Sequence, residues 1–165
     1  MITLHHLEYS QSFRILWLLE ELGAPYDLKV YERDPESRLA PSDYKALSPL
    51  GTAPVITDES GLVMAESNAV IDYILDSHPE SPLRPAPGEA TRADYLFWFH
   101  AGTGSLMPMQ FMNGILTMMK ARSPALVKSV VGIATDKVRE MLVAPRLKLI
   151  FDKLEADLGR NTWLA

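Results

Sequence analysis

The chain contains no cysteine. That excludes disulfides, zinc–thiolate sites and any redox motif built on a protein thiol, so sulfur chemistry here has to come from a bound thiol. Long apolar runs are missing as well: nothing approaches the ~18 consecutive apolar residues of a membrane-spanning helix, and no membrane association is expected. Positive charge is scarce. Sixteen Lys and Arg against 21 Asp and Glu give a net charge of −5, which leaves no electrostatic footprint for nucleic acid or an anionic surface. The four histidines form no metal cluster: His5 and His6 are neighbours that point to opposite faces of a strand, and His78 and His100 lack partners at ligand spacing. No Gly-rich phosphate loop, Ser-His-Asp arrangement or internal repeat is evident. The sequence enters a strand pattern at once without a leader peptide, and the expected location is the cytoplasm.

What is present has the balance of a folded globular protein, with 47% hydrophobic and 22% charged residues. Residues 2–6 read as a strand. From Ser12 the pattern turns helical, with Phe13, Leu16, Leu19 and Leu22 as its apolar stripe, and Gly23 and Pro25 stop that helix. Residues 27–31 alternate as a half-buried strand, and a short helix is expected around Ser42 to Leu47. Strands at 54–57 and 62–64 flank a turn. A helix from Ser67 to Ser77 follows, with Val70, Tyr73 and Ile74 on one face. Four prolines between His78 and Gly88 make a stiff linker and the clearest domain boundary. Beyond it no strand signal survives; residues 89–120 and 124–158 read as two long helices, with kinks expected at Pro108 and Pro145. The predicted organisation is an α/β thioredoxin-like domain (βαβ then ββα) over residues 1–78, a linker over 79–88 and an all-α domain over 89–165.

The most informative stretch is Gly51-Thr52-Ala53-Pro54-Val55-Ile56, followed by Glu66-Ser67-Asn68-Ala69. Pro54 cannot donate to a sheet ladder, so it suits the first residue of a strand. A cis bond before it is one option in a tight approach to the strand, and it leaves the Ala53 backbone facing outward. The helix that starts at Glu66 offers N–H groups and a positive dipole end, a seat for a carboxylate. Together these residues suit an extended, peptide-like ligand.

With Val70-Ile71-Asp72-Tyr73-Ile74, and with the opening Ile2-Thr3-Leu4-His5-His6 and Ser10 to Gly23, this pattern resembles the cytosolic glutathione S-transferases, of a serine-type or unclassified microbial class. The resemblance runs from residue 1 to about residue 120 and continues more loosely to the end. It implies glutathione as co-substrate, a small hydrophobic electrophile as second substrate, no metal, and a homodimer. Ser67 and its N–H are then expected to hold the γ-glutamyl carboxylate, and Glu66 the ligand's amino group. Ala53 would pair its backbone with the cysteinyl unit as an added strand does. Thr52 is a departure, because many relatives carry a basic residue there for the glycyl carboxylate; Arg38 and Lys45 read as solvated loop charges. Relatives also contain more C-terminal helices, so the chain is expected to lack its C-terminal part.

Conjugation needs a thiolate, and a thiol of pKa ~8.5 is only a few per cent ionised at neutral pH. Lowering that pKa by ~2 units takes about 2.7 kcal/mol. One hydroxyl hydrogen bond to charged sulfur supplies roughly 1.5–3 kcal/mol, so a hydroxyl at the entrance of the first helix suffices. The candidates are Tyr9, Ser10 and Ser12. Ser10, four residues before Arg14, matches the thiol-activating serine of serine-type relatives, with plain helix capping as its equal alternative; Tyr9 ranks second, Ser12 reads as a helix cap, and a backbone N–H is a further candidate donor. Met107 and Phe111 are the expected wall of the second-substrate pocket, with helix core as their plainer role. A glutathione-dependent peroxidase or disulfide reductase, or a non-catalytic binding module of the same fold, are the alternatives.

Overall fold

The computed structural model describes residues 1–165. Its first strand, β1 (Ile2–Leu7), is followed by α1 (Ser12–Leu22) and β2 (Tyr26–Tyr31). After them come α2 (Ser42–Lys45), β3 (Val55–Asp58), β4 (Val63–Ala65) and α3 (Ser67–Asp76). The four strands form one mixed sheet in the order β2-β1-β3-β4, with β2 parallel to β1 and the other two pairings antiparallel. This is the thioredoxin-like βαβ–ββα arrangement. Because side chains alternate along a strand, Leu4 and Ile56 face one side, where Ile15, Leu19, Val70 and Ile74 of α1 and α3 close a buried core over them. Leu7 and Val55 face the other side and pack with Tyr31 and with Tyr44 of α2.

Two local readings change. The buried residues of α1 are Ser12, Ile15 and Leu19, whereas Phe13 is 62% exposed. A step of three residues falls ~60° short of a full turn, so Phe13 and Leu22 sit on opposite sides of the helix and cannot share a stripe. In β2, Leu28 and Val30 are exposed. Its alternation belongs to an edge strand, paired on one side only. Gly23 ends α1 as expected, in the left-handed conformation at φ 58°, with its N–H turned back to Glu20 and Leu19.

Behind the sheet lies a polar chain. His5 is buried, with Nδ1 3.0 Å from the Tyr31 hydroxyl and Nε2 2.9 Å from Thr57 Oγ1. Burial pushes its imidazole below the ordinary value, and the charge of Lys29 pushes the same way. The unfolded chain therefore binds the proton more readily between that lowered value and ~6.5. Stability should rise with pH across that interval and be complete above it. Urea midpoints measured against pH are expected to show this rise in the native chain, and a flatter profile in His5→Gln.

The chain folds as two compact units, Met1–Arg84 and Pro85–Ala165. The second is entirely helical: α4 (Arg92–Ala101), α5 (Met107–Arg122), α6 (Lys128–Val138) and α7 (Ala144–Leu158). The kinks expected at Pro108 and Pro145 take a particular form. Gly102–Leu106 and Arg139–Val143 are π-helical turns, each running straight into the helix that has its proline at the second position. A proline lacks the N–H and its ring collides with the carbonyl four residues back, and widening the turn relieves the clash. Asp157 ties the ends of this unit together, accepting from Trp98 Nε1 at 2.9 Å and from Lys153 and Arg160 at 2.7 Å each. Its buried hydrophobic residues are few, namely Ala101, Leu116 and Val143.

Candidate functional site

The strand register gathers three loops at one end of the sheet. His5 pairs with Val55, and Val55 with Ala65. Hence the segment leaving β1 toward Ser10, the Ala53–Pro54 segment entering β3 and the Glu66–Ser67 segment leaving β4 emerge at the same edge. The Ala53–Pro54 peptide bond is cis, and the ladder begins only at Val55, which leaves Ala53 outside it.

Ser10 sits half-buried in a knot of hydroxyls. Its Oγ donates to the Leu7 carbonyl at 2.7 Å, lies 2.8 Å from Ser12 Oγ, and accepts the Ser12 N–H at 3.2 Å. Ser12 is fully buried. It does not cap α1: Ser12 is the first residue of that helix, its own N–H goes to Ser10 Oγ, and Gln11 ahead of it makes no side-chain cap. Instead its Oγ accepts the Leu7 N–H at 3.2 Å, lies 3.2 Å from the Leu7 carbonyl, and meets His6 Nδ1 at 2.9 Å. Tyr9 has a left-handed backbone (φ 49°) and an exposed ring beneath the Arg38 guanidinium, 5.3 Å from its centroid. Arg33 braces this loop, donating Nε to the Glu8 carbonyl at 2.8 Å and Nη1 to the Arg38 carbonyl at 3.0 Å.

Glu66 is not in the first turn of α3 but just ahead of it, at φ 76° and ψ 121°, a sparsely populated conformation for a side-chain-bearing residue. Such geometry costs about 1–3 kcal/mol and persists only where the surroundings enforce it. The Glu66 side chain makes no cap bond to α3, and the dipole end of the helix is a seat for a carboxylate. Ser67 is buried and Glu66 exposed beside it. Thr52 is exposed. Its neighbour Gly51 has φ 59° and a close approach to the Lys45 stem, where an added Cβ would lie 3.6 Å from Lys45 Cβ and Cγ. This puts the α2 lysine beside the Thr52 slot, a proximity hidden in the sequence because α2 lies within a proline-broken loop.

In the helical unit, Met107 is partly buried and Phe111 is 71% exposed on α5. The depression in this unit, about 380 Å³, is lined by Gly104, Ser105, Met109, Arg146, Leu149 and Ile150. Its methionine is Met109, and Gly104 and Ser105 bring the first π turn to its wall. One residue of the site carries no signal in the sequence: His6, whose side chain reaches the Ser10–Ser12 pair. A strand histidine has no periodicity that marks its partner.

Comparison with known proteins matches residues 10–77 to the family model "Glutathione S-transferase, N-terminal domain". Over its whole length the chain is 32% identical to glutathione S-transferase 3 of Schizosaccharomyces pombe and covers 67% of it. Among solved structures, a glutathione S-transferase from Actinobacillus pleuropneumoniae superposes with a TM-score of 0.72 at 33% identity, over 99% of this chain and 69% of that one. The glutathione transferase URE2P8 from Phanerochaete chrysosporium, solved with oxidized glutathione, shares the fold at a TM-score of 0.68 and 23% identity, over 99% and 69% of the two chains. The chain thus spans about two thirds of the length of these relatives.

Proposed function

Because the chain belongs to the glutathione S-transferase family, we propose that it is a glutathione transferase that ionises the thiol of glutathione and transfers the sulfur to a small hydrophobic electrophile. The observation that carries this reading is the meeting of Ser10, Ala53 and the Glu66–Ser67 helix start at one sheet end. The γ-glutamyl carboxylate takes the α3 N-terminus and Ser67, and its amino group meets Glu66. The cysteinyl unit pairs with the Ala53 backbone next to Pro54, and the glycyl end lies toward Thr52 and Lys45. The sulfur then faces the Ser10 hydroxyl, and Met107 and Phe111 serve the electrophile. The apolar side chains exposed on the helical unit, Ile133 and Leu149 among them, support a homodimer, and the cytoplasm is the proposed location.

Adding the chain to glutathione and following thiolate absorbance against pH tests this directly. Ionisation well below the pH at which free glutathione ionises is the expected result. Its absence at saturating glutathione would favour the binding-module alternative, for which one observation speaks: the Ser10 proton already has an acceptor in Leu7 O.

The Glu66 backbone supplies a separate check. Glycine adopts a positive φ at little steric cost, so Glu66→Gly is expected to stabilise the first unit by up to about 2 kcal/mol after its entropic cost, while weakening glutathione binding. Thermal melts and glutathione titrations of the same variant measure both. A variant that melts lower and binds normally would remove Glu66 from the site.

A further inference from the structure

We infer that His6 takes up the proton of the bound thiol through Ser12 and Ser10. The inference rests on the glutathione reading of the site and concerns where the thiol proton goes. It starts from hydrogen counting. Ser10 Oγ and Ser12 Oγ are 2.8 Å apart, and Ser12 Oγ is 2.9 Å from His6 Nδ1. Each hydroxyl has one proton to give, and Leu7 O accepts from either, at 2.7 Å from Ser10 or 3.2 Å from Ser12.

Two arrangements give each hydroxyl proton an acceptor. In the first, His6 Nδ1 is an acceptor: Ser12 donates to it, Ser10 donates inward to Ser12 or Leu7 O, and a neutral thiol donates its S–H to Ser10. In the second, His6 Nδ1 carries hydrogen and donates to Ser12; Ser10 Oγ accepts the Ser12 N–H, and the Ser10 proton points outward to a thiolate. Ser12, no longer donating to His6, turns its proton to Leu7 O, so turning Ser10 outward does not orphan a carbonyl.

The two arrangements differ by one proton passed along the chain. The S–H bond breaks and sulfur keeps the electron pair. Ser10 and Ser12 each receive one proton and hand one on, and an Nδ1–H bond forms on His6. Of the three side chains in the relay, only the imidazole has a ring nitrogen that can hold the added proton while the hydroxyls keep one each. Ser12 is fully buried, which keeps bulk water away from the middle of the chain. His6 touches no substrate and acts only through Ser12.

The test counts protons. The full chain at saturating glutathione, in weakly buffered solution with a pH indicator, is read for thiolate absorbance and for protons released. S-methylglutathione, which has no thiol proton, provides the correction for other groups. The expected result is thiolate formation with far less than one proton released per thiolate. In His6→Asn, whose amide can still hydrogen-bond Ser12 but cannot store a proton, thiolate falls and each one formed releases one proton. The imidazole 15N spectrum of the native chain should show His6 Nδ1 becoming protonated on adding glutathione and unchanged on adding S-methylglutathione. One proton released per thiolate in the native chain, or a silent His6 spectrum, would overturn the inference and leave the transferase reading standing. No thiolate at all in the native chain would remove both.

Discussion

Ser10→Ala is expected to lower kcat for conjugation of glutathione to an aryl halide by about tenfold to ~150-fold, with glutathione affinity near that of the native chain. The range follows from the ~1.5–3 kcal/mol of a hydrogen bond to a charged acceptor, at 1.36 kcal/mol per tenfold. Affinity should hold because the tripeptide is gripped elsewhere, at α3 and Ala53. The gain is realised only where sulfur carries charge, and this places the loss in kcat rather than KM. In the resting site the Ser10 proton is held by Leu7 O at 2.7 Å. Exchanging a neutral acceptor for a thiolate then nets only about 1 kcal/mol, unless Ser12 replaces Ser10 as the donor to that carbonyl. A loss of only about fivefold, below that range, would mean that Ser12 stays turned away; a loss within it, that Ser12 takes over. The fold should tolerate the change, since Leu7 O and Leu7 N–H both retain Ser12. Ser10→Thr keeps the hydroxyl and should recover most of the rate. Full activity in Ser10→Ala, together with loss in Tyr9→Phe, would assign the donor to the Tyr9 phenol.

The parts of this molecule legible in the sequence are those whose cause is local. Pro54 leading into a strand, Gly23 stopping α1 and a helix starting beside Glu66 each depend on a residue's own backbone chemistry, and each stands within one residue of where that chemistry places it. The hydroxyls near Ser10 are legible as candidates for the same reason. Their order of use is not. Which of Ser10 and Ser12 faces outward depends on Leu7 and His6, and strand geometry decides that. The His5–Tyr31–Thr57 chain joins residues 26 and 52 positions apart, and only pairing of β1 with β2 and β3 creates it. Phe13 misleads because steps of three look like a stripe on paper while a helix rotates away from them. The prolines at 108 and 145 are visible as irregularities; that each is met by a widened turn ahead of it follows from the continuous helix on both sides.

Tyr44→Ala should cost the first unit about 3–5 kcal/mol, the range for deleting a buried aromatic ring. Tyr44 is fully buried and is the only buried residue of the four-residue α2. It packs with Leu7, Tyr31 and Val55, edge-on to the Tyr31 ring at 5.0 Å. Its hydroxyl contributes little, since the bond to the His5 carbonyl is long at 3.4 Å. Burial holds the phenol neutral, with its pKa pushed up to about 12. Tyr44→Phe should therefore stay within about 1 kcal/mol of the native chain, and the pair of variants separates packing from hydrogen bonding. Native-state hydrogen exchange of β1 and β3 amides is the appropriate measurement, because it reads the first unit without assuming that both units unfold together. A functional consequence follows from position. An isolated helix of four residues has no stability of its own, so the loop carrying Lys45 and Gly51 is held by Tyr44 alone among α2 residues. Loosening it should weaken the glycyl end of the glutathione site while Ser10, anchored on β1, keeps its power to ionise sulfur. Tyr44→Ala is thus expected to raise KM for glutathione more than it lowers kcat, the reverse of Ser10→Ala. Equal losses in both constants would mean that the two ends of the site are not held independently.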